Sequence, residues 1–494
     1  MPGRWPRGLT GLLMAASLAS GLSLDAVDRE FARRRYVRDP VAWVTEQLGE
    51  FVWSKQRAMC ESVRDHRRTA VRSCHEAGKS FIAARIAAWW LATHPVGEAF
   101  VVTSAPSFPQ VRAILWREIG RAHGKGKLPG RVNQTEWFMT TLDGREELVG
   151  FGRKPADMDP TGFQGIHARY VLVIFDEACG IPRQLWDAAD SLVANDDSRF
   201  FAIGNPDDPI TEFAEVCKPG SGWNVIGISA FETPNLTNEP VPDDLRPLLV
   251  GKLWVEEKKR KWGEDSPIYK SKVLGEFPET SDDGLIPISW IAQAQQRELE
   301  PGLPSELGVD VGGGRDKSVV AHRRGPVVRI VKKTNTPDTM ETTGHIIQVL
   351  KATKATVAKV DHIGIGRGVV DRGRELKCPF VPVNVAAKPT STLASERFVN
   401  LRAQFYWGLR ERFQAGDIDI DTQDDDLAAQ LCALRFFTTS RGQIQIESKD
   451  DLRKRGLPSP DDADAVMLAF AAAWVVLADD MEAGDNDERI PDRF

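Results

Sequence analysis

The sequence predicts an α/β protein of two domains, and three observations carry that reading. A short apolar strand, Thr69 to Ser73, runs into Cys74-His-Glu-Ala-Gly78-Lys79-Ser80 and on into a long apolar helix. Such a strand–loop–helix junction cradles phosphate groups, because backbone N–H groups and the positive helix end face the anion. A continuous apolar run, Tyr170 to Phe175, ends in Asp176-Glu177, as a central parallel strand ends where ligands bind. Beyond a Pro- and acid-rich connector, a strand, a Gly-rich turn and a second strand follow around Asp310.

The chain has 494 residues, long for one hydrophobic core and suited to two or three domains. Its formal net charge is −6, so a nucleic-acid partner would be met by local basic patches and not by an overall basic field. The six cysteines are scattered, with no CxxC pair. That argues against a zinc site or a disulfide framework and suits a reducing compartment. Arg4 and Arg7 precede an uncharged run from Gly8 to Leu24 that resembles a short secretory signal. A phosphate-binding site downstream contradicts export, so residues 1–35 are read as an N-terminal extension. No other stretch is apolar enough to span a membrane.

The first domain is assigned to residues 36–275. Gln56 follows Trp53 ahead of the loop strand, where a side-chain amide can read an adenine edge. Lys79 would reach the β/γ-phosphates of ATP and Ser80 would hold Mg²⁺. The usual first glycine of the loop is absent, and Ser73 stands in its place. The segment from Phe81 to Thr93 is the following helix, and Glu98 to Ser104 is a strand ending in small polar residues at a sheet edge. A helix is expected over 107–123, with the basic cluster Arg117 to Arg131 on a solvated face. Asp176 would bind Mg²⁺ and Glu177 would activate the attacking water. Another buried strand ends in Gly204-Asn205-Pro206, where Asn205 could sense the γ-phosphate. Strands alternating with helices make a parallel, doubly wound sheet.

Residues 276–300 form the connector, and the second domain is assigned to residues 301–475. Asp310 sits in mid-strand between apolar neighbours, an expensive place for a carboxylate that lacks a metal or a partner. The glycines at 312–314 do not have dinucleotide-site spacing, and a strand follows them instead of a helix. A later strand ends at Asp361, and Asp461 and Asp464 open an apolar helix one turn apart. Acids from two strands and a C-terminal helix can converge on two Mg²⁺ or Mn²⁺ ions for phosphodiester hydrolysis. No His/Cys set suggests zinc.

Taken in order, these pieces resemble the large subunit of tailed-bacteriophage or prophage terminases, from about residue 40 to 475. The set comprises Gln56, the loop ending Gly78-Lys79-Ser80, Gly162-Phe-Gln-Gly-Ile-His-Ala168, Asp176-Glu177, Gly204-Asn-Pro and Gly275-Glu-Phe-Pro with Leu285-Ile-Pro. Asp310, Asp361 and Ser459-Pro-Asp-Asp-Ala-Asp464 complete it. The resemblance implies an ASCE-type ATPase domain followed by an RNase H-like nuclease domain. It implies ATP-driven translocation of double-stranded DNA into a procapsid, and metal-dependent cutting of concatemers. Lys79, Ser80, Asp176 and Glu177 match its ATPase positions, with Gln56 as adenine reader, Asn205 in the coupling motif and Arg72 as phosphate sensor. Asp310 and Asp361 match its nuclease acids. Asp464 is preferred to Asp461 as the third, and Asp316 is an accessory candidate. The implied partners are a small terminase subunit, the portal and further copies in a ring, with no membrane, in the host cytoplasm and outside the virion. Residues 476–494 are acidic and polar and are expected to form a disordered tail; the resemblance gives this end a contact with the portal. A repair or restriction helicase-nuclease would need a second RecA-like domain that the sequence does not offer. An inactive prophage remnant acting as a scaffold is at odds with the intact Lys79, Glu177 and acid set.

Overall fold

The computed structural model of the chain describes residue 30 and residues 33–472, apart from 142–143, 155–165, 167, 280–282, 315 and 390. The signal-like run, most of the Gly162–Ala168 motif and the acidic C-terminal stretch lie outside the described residues. The chain divides into two compact units, Met1–Val255 with Ser271–Phe277 and Glu256–Lys270 with Pro278–Phe494. The stretch Glu256–Lys270, read from the sequence as part of the first domain, packs within the second unit. Among the described residues no helix is long and apolar enough to cross a membrane.

The first unit is built on an eight-stranded sheet. In chain order come α1 (Ser54–Asp65), β1 (Arg68–Ser73), α2 (Lys79–Thr93), β2 (Ala99–Ser104), β3 (Arg131–Asn133), β4 (Glu136–Thr140) and β5 (Glu146–Arg153). They are followed by β6 (Tyr170–Phe175), α3 (Arg183–Leu192), β7 (Arg199–Gly204) and β8 (Asn224–Ile228). The spatial order is β3-β4-β5-β2-β6-β7-β1-β8. Strands β5, β2, β6, β7, β1 and β8 run parallel, and β3 and β4 add an antiparallel flap at one edge. That flap has no counterpart in the sequence reading, and β2 is an interior strand. The helix expected over 107–123 is a π-helical stretch, Gln110–Trp116, running into a helix, Arg117–Gly126.

Burial explains the central strands. Val171 through Phe175 are all at most 1% exposed, so β6 has helices on both faces and needs no polar alternation. Phe175 and Phe200 meet Trp186 of α3 with ring centroids 5.1 and 5.4 Å away. Each buried ring contributes about 2–3 kcal/mol. Helix α2 is buried almost all round, and its Ala83, Ala84, Ala87 and Ala88 let it lie close to its neighbours. Strand β7 stands between the loop strand β1 and the Asp–Glu strand β6. This extra strand gives the ASCE order.

The second unit contains β9 (Ser305–Asp310), β10 (Ser318–Arg324), β11 (Val327–Thr334), α4 (Thr339–Thr353), β12 (Val357–Asp361), α5 (Gly366–Glu375) and β13 (Phe380–Val383). It continues with α6 (Leu401–Ala415), α7 (Asp425–Ala433), β14 (Phe436–Thr438), β15 (Ile444–Ile446), α8 (Lys449–Lys454) and α9 (Asp461–Phe470). Five strands order as β11-β10-β9-β12-β13, with β10 antiparallel to both neighbours and β9, β12 and β13 parallel. This is the RNase H-like order and not a second RecA-like sheet.

The period of two along β9 and β12 sorts their side chains. Leu307, Val309, Ala358 and Val360 join Ile346, Leu350 and Val369 of α4 and α5 in one core. Gly308, Asp310, Lys359 and Asp361 therefore face the other side, where α9 packs. A Cβ on Gly308 would stand 2.1 Å from Ala465 O and 2.2 Å from Ala469 N, so only glycine lets α9 lie against β9. Lys359 is 1% exposed. Its ammonium donates to Ala469 O and Ala471 O at the end of α9 and pairs with Glu306 at 2.7 Å. A cation at a helix C-terminus is well placed, and this one pins α9 across the sheet.

Candidate functional site

In the first unit, one cluster forms at the carboxyl ends of β1, β6 and β7. The loop Cys74–Gly78 leaves β1, and Gly78 enters α2 in the left-handed conformation, φ 74°. Lys79 is 7% exposed. Its ammonium donates to Cys74 O at 3.0 Å and to Asn205 Oδ1 at 3.5 Å. Ser80 Oγ donates to Asp176 Oδ2 at 2.7 Å, and Asn205 Nδ2 donates to Ser73 O at 2.6 Å. Gln56 reaches over from α1, donating to Gly78 O at 3.4 Å, while its buried Oε1 has no hydrogen-bond partner. The sequence-predicted Gln56, Ser73, Gly78, Lys79, Ser80, Asp176 and Asn205 are thus brought together.

Asp176 is buried, and burial, followed by the nearby Glu177 charge, pushes its carboxyl up to about 7. Glu177 follows in a left-handed conformation, φ 49°, ψ 50°, which costs a residue with a Cβ roughly 1–3 kcal/mol and is held where surroundings dictate it. Arg72 points elsewhere: its Nη1 donates to Gly275 O. Gly275 lies so close to the loop that a Cβ on it would be 2.4 Å from Ile228 O and 3.1 Å from Cys74 N. The Gly275-Glu-Phe-Pro motif therefore has a packing role beside the loop. ATP·Mg²⁺ fits this cluster on three counts: a buried ammonium on backbone carbonyls, an unpaired acceptor on Gln56 for an amino group, and a Ser–Asp pair of hard oxygens.

The second cluster lies on the α9 face of the five-stranded sheet. Parallel pairing puts Val360 beside Val309, so Asp310 and Asp361 are neighbours one step further along. Helix α9 brings Asp461 and Asp464 over them. Lys449, at the start of α8, sits among these acids, with Nζ 2.9 Å from Asp464 Oδ2, 3.4 Å from Asp310 Oδ2 and 3.8 Å from Asp461 Oδ1. Burial raises the Asp310, Asp361 and Asp461 carboxyls above the usual range. Burial would also raise Asp464, but Lys449, Arg402 and Tyr406 overcome it and hold Asp464 low. Burial works against the Lys449 charge too, and Asp464 and Asp310 outweigh it and raise the lysine.

Three buried carboxylates around one ammonium, with the half-buried Asp361 beside Asp310, are an all-oxygen set suited to a hard divalent cation. Among the described residues no three His, Cys, Asp or Glu groups stand close enough to hold one metal ion; the Lys449 ammonium lies among the acids instead. The donor set fits Mg²⁺ or Mn²⁺ once that ammonium yields. Replacing Lys449 by alanine is expected to lower the metal-free stability of the chain by roughly 1–3 kcal/mol, since buried carboxylates lose their counter-charge. Mn²⁺ should then raise the melting temperature more in K449A than in the wild type. Equal melting curves with and without Mn²⁺ would contradict this arrangement.

Asp462, between the two site acids, faces away. It pairs with Lys333 at 2.8 Å and accepts from Gln430 Nε2 at 2.9 Å. Gln430 Oε1 in turn accepts from Asp462 N and Ala463 N at 2.8 and 3.1 Å, satisfying orphan donors at the start of α9. Asp316 pairs with Arg453 at 2.9 Å, and Lys317 N donates to Asp461 Oδ2 at 3.1 Å. The expected accessory acid is therefore at the rim, committed to an arginine.

No protein-family model matches the chain. Over 453 residues it is 24% identical to the probable terminase large subunit of Enterobacteria phage P7, covering 86% of this chain and 88% of that one. The chain is related to the large subunits of phage terminases. Among solved structures it resembles the large terminase of a thermophilic bacteriophage (13% identity, 85% of this chain, 98% of that one, TM-score 0.42). It also resembles the manganese-bound nuclease domain of a mutant of the large terminase subunit gp2 of bacterial virus Sf6 (20% identity, 38% of this chain, 99% of that one, TM-score 0.36).

Sequence reading missed Lys449, Tyr406, Arg402 and Gln430. Lys449 lies in a charged stretch, Ser448-Lys-Asp-Asp-Leu-Arg-Lys-Arg455, where nothing separates it from surface lysines. The other three belong to helices whose ordinary amphipathic pattern hides an inward polar group.

Proposed function

We propose that the chain is a terminase large subunit: it moves double-stranded DNA into a procapsid at the expense of ATP, and it cuts concatemeric DNA. The observation that carries this is the presence of both clusters in one chain, the Lys79–Ser80–Asp176 cluster on an ASCE sheet and the four-acid cluster on an RNase H-like sheet. The relation to the phage P7 protein along both halves supports it.

In the first unit Lys79 would contact the β/γ-phosphates of ATP, Ser80 and Asp176 would hold Mg²⁺, and Gln56 would read the adenine edge through its unpaired Oε1. Glu177 accepts the proton of the attacking water. Asn205, bonded to both Ser73 O and Lys79, senses the state of the loop. Arg72, bound to Gly275 O, would have to leave that carbonyl to meet a phosphate. In the second unit Asp310, Asp361 and Asp464, with Asp461, would hold two divalent cations, which would supply an activated water and charge stabilisation at the leaving 3′-oxygen. Asp310 and Asp361 orient from the sheet, and the α9 acids close over them. The partners of this reading are duplex DNA, a small terminase subunit, the portal and further copies in a ring, in the cytoplasm of the host and outside the virion.

The test is made on the purified full chain. Plasmid cleavage should need Mn²⁺ or Mg²⁺ and no nucleotide, and ATP hydrolysis should need Mg²⁺. A chain that hydrolyses ATP but never cuts DNA with either metal does not support this reading of the second unit.

A further inference from the structure

We propose that Tyr406 is a positioning residue of the nuclease centre, holding one oxygen of Asp464 so that only the other, Oδ2, is offered to a cation. The inference rests on the nuclease reading of this cluster. Tyr406 and Arg402 lie one turn apart on α6, facing α9. Tyr406 is fully buried, and its hydroxyl donates to Asp464 Oδ1 at 2.6 Å. Arg402 Nη2, buried and without a hydrogen-bond partner, stands 3.6 Å from the same oxygen. The guanidinium is fixed by its other nitrogen, which donates to Glu447 O, and lies 5.1 Å over the Tyr406 ring. Asp464 Oδ1 is therefore occupied from within the protein, and Oδ2 faces the position taken by Lys449.

The other acids are held differently. Among the described residues, Asp361 Oδ1 accepts a backbone N–H, from Ile363 at 3.1 Å, and no side-chain donor. Among the described residues, Asp310 accepts from no hydroxyl or guanidinium, and Lys449 is its side-chain partner. Asp464 is thus the ligand of fixed orientation, held to a single oxygen, while Asp310 and Asp361 have freedom to adjust. Donors to a ligand carboxylate set ligand direction and metal affinity, and their loss costs about 10–100-fold in affinity.

The experiment is calorimetric titration of the nucleotide-free full chain with Mn²⁺. Wild type should bind, and D310A should bind far more weakly. Y406F should bind about tenfold more weakly than wild type with a similar circular-dichroism spectrum. In the D464N background, the added Y406F change should weaken Mn²⁺ no further, because the phenol acts through that carboxylate. Arg402→Lys, which withdraws the guanidinium from Oδ1 and keeps its charge, should weaken Mn²⁺ by less than the roughly tenfold expected of a lost hydrogen bond, because Nη2 stands 3.6 Å from Oδ1. It carries the test where Y406F fails to fold, and wild-type affinity in it would overturn the fixing of Oδ1. Wild-type affinity in Y406F, or additive losses in the double variant, would overturn the role of Tyr406. Undiminished Mn²⁺ binding by D310A would instead overturn the nuclease reading on which it rests.

Discussion

Replacing Asp310 by alanine should lower metal-dependent plasmid cleavage by at least roughly 10³-fold, or about 4 kcal/mol of transition-state stabilisation. The size follows from the position. Asp310 ends the central strand of the nuclease sheet, is 3% exposed, and lies beside Asp361 beneath the α9 acids. Its neighbour on the same face of β9 is Gly308, which has no side chain to offer, and Lys449 carries the wrong charge. The folded state should not suffer. Removing a buried carboxylate whose ionised form is disfavoured relieves charge crowding, so D310A should melt no lower than wild type in the absence of metal. ATP turnover by D310A should stay within about twofold of wild type, since the loop, Asp176 and Glu177 belong to the other unit. Cleavage by D310A at the wild-type rate would remove the second cluster from the chemistry.

Replacing Glu177 by glutamine should lower ATP turnover by roughly 10²–10⁴-fold, the usual contribution of a positioned general base. Glutamine keeps the size of the side chain and the left-handed backbone, and it cannot accept the proton of water. Nucleotide binding should persist, because Lys79, Ser80 and Asp176 are untouched. Asp176, freed from the neighbouring negative charge that helps raise its carboxyl, should ionise more readily and hold Mg²⁺ at least as well. Plasmid cleavage should be unchanged. Turnover of ATP at the wild-type rate by E177Q would place the general base elsewhere.

Much of both clusters was legible because their chemistry sits at places that sequence marks. A loop between an apolar strand and an apolar helix, a strand ending in Asp-Glu, and carboxylates among apolar neighbours are local patterns. Asp310, expected in mid-strand and found at the last residue of β9, stands out because a lone acid among buried apolar neighbours needs a reason. The alternation along β9 and β12 then decides which face carries the acids. What the sequence hides is what depends on tertiary approach. Lys449 becomes central only because α8 delivers it between three carboxylates contributed by β9 and α9. Gln430 looks like any glutamine on α7 until its amide caps α9. The β3–β4 flap escaped because its strands are short and begin where the basic cluster Arg117 to Arg131, which reads as solvated surface, ends. The Asp461-Asp-Ala-Asp464 run shows both sides. Helical spacing correctly put Asp461 and Asp464 on one face, and the intervening Asp462 turned to Lys333 and Gln430, where only the fold could place it.

The most direct test of the central claim, that one chain carries a DNA-moving ATPase and a separate nuclease, is DNA protection in procapsids supplied with pre-cut linear duplex. Filled particles are treated with an external nuclease, and the protected DNA is measured for wild type, D310A and E177Q. The account predicts that D310A protects as much DNA as wild type and that E177Q protects almost none. Equal protection by E177Q, or loss of protection in D310A with linear DNA already supplied, would contradict it.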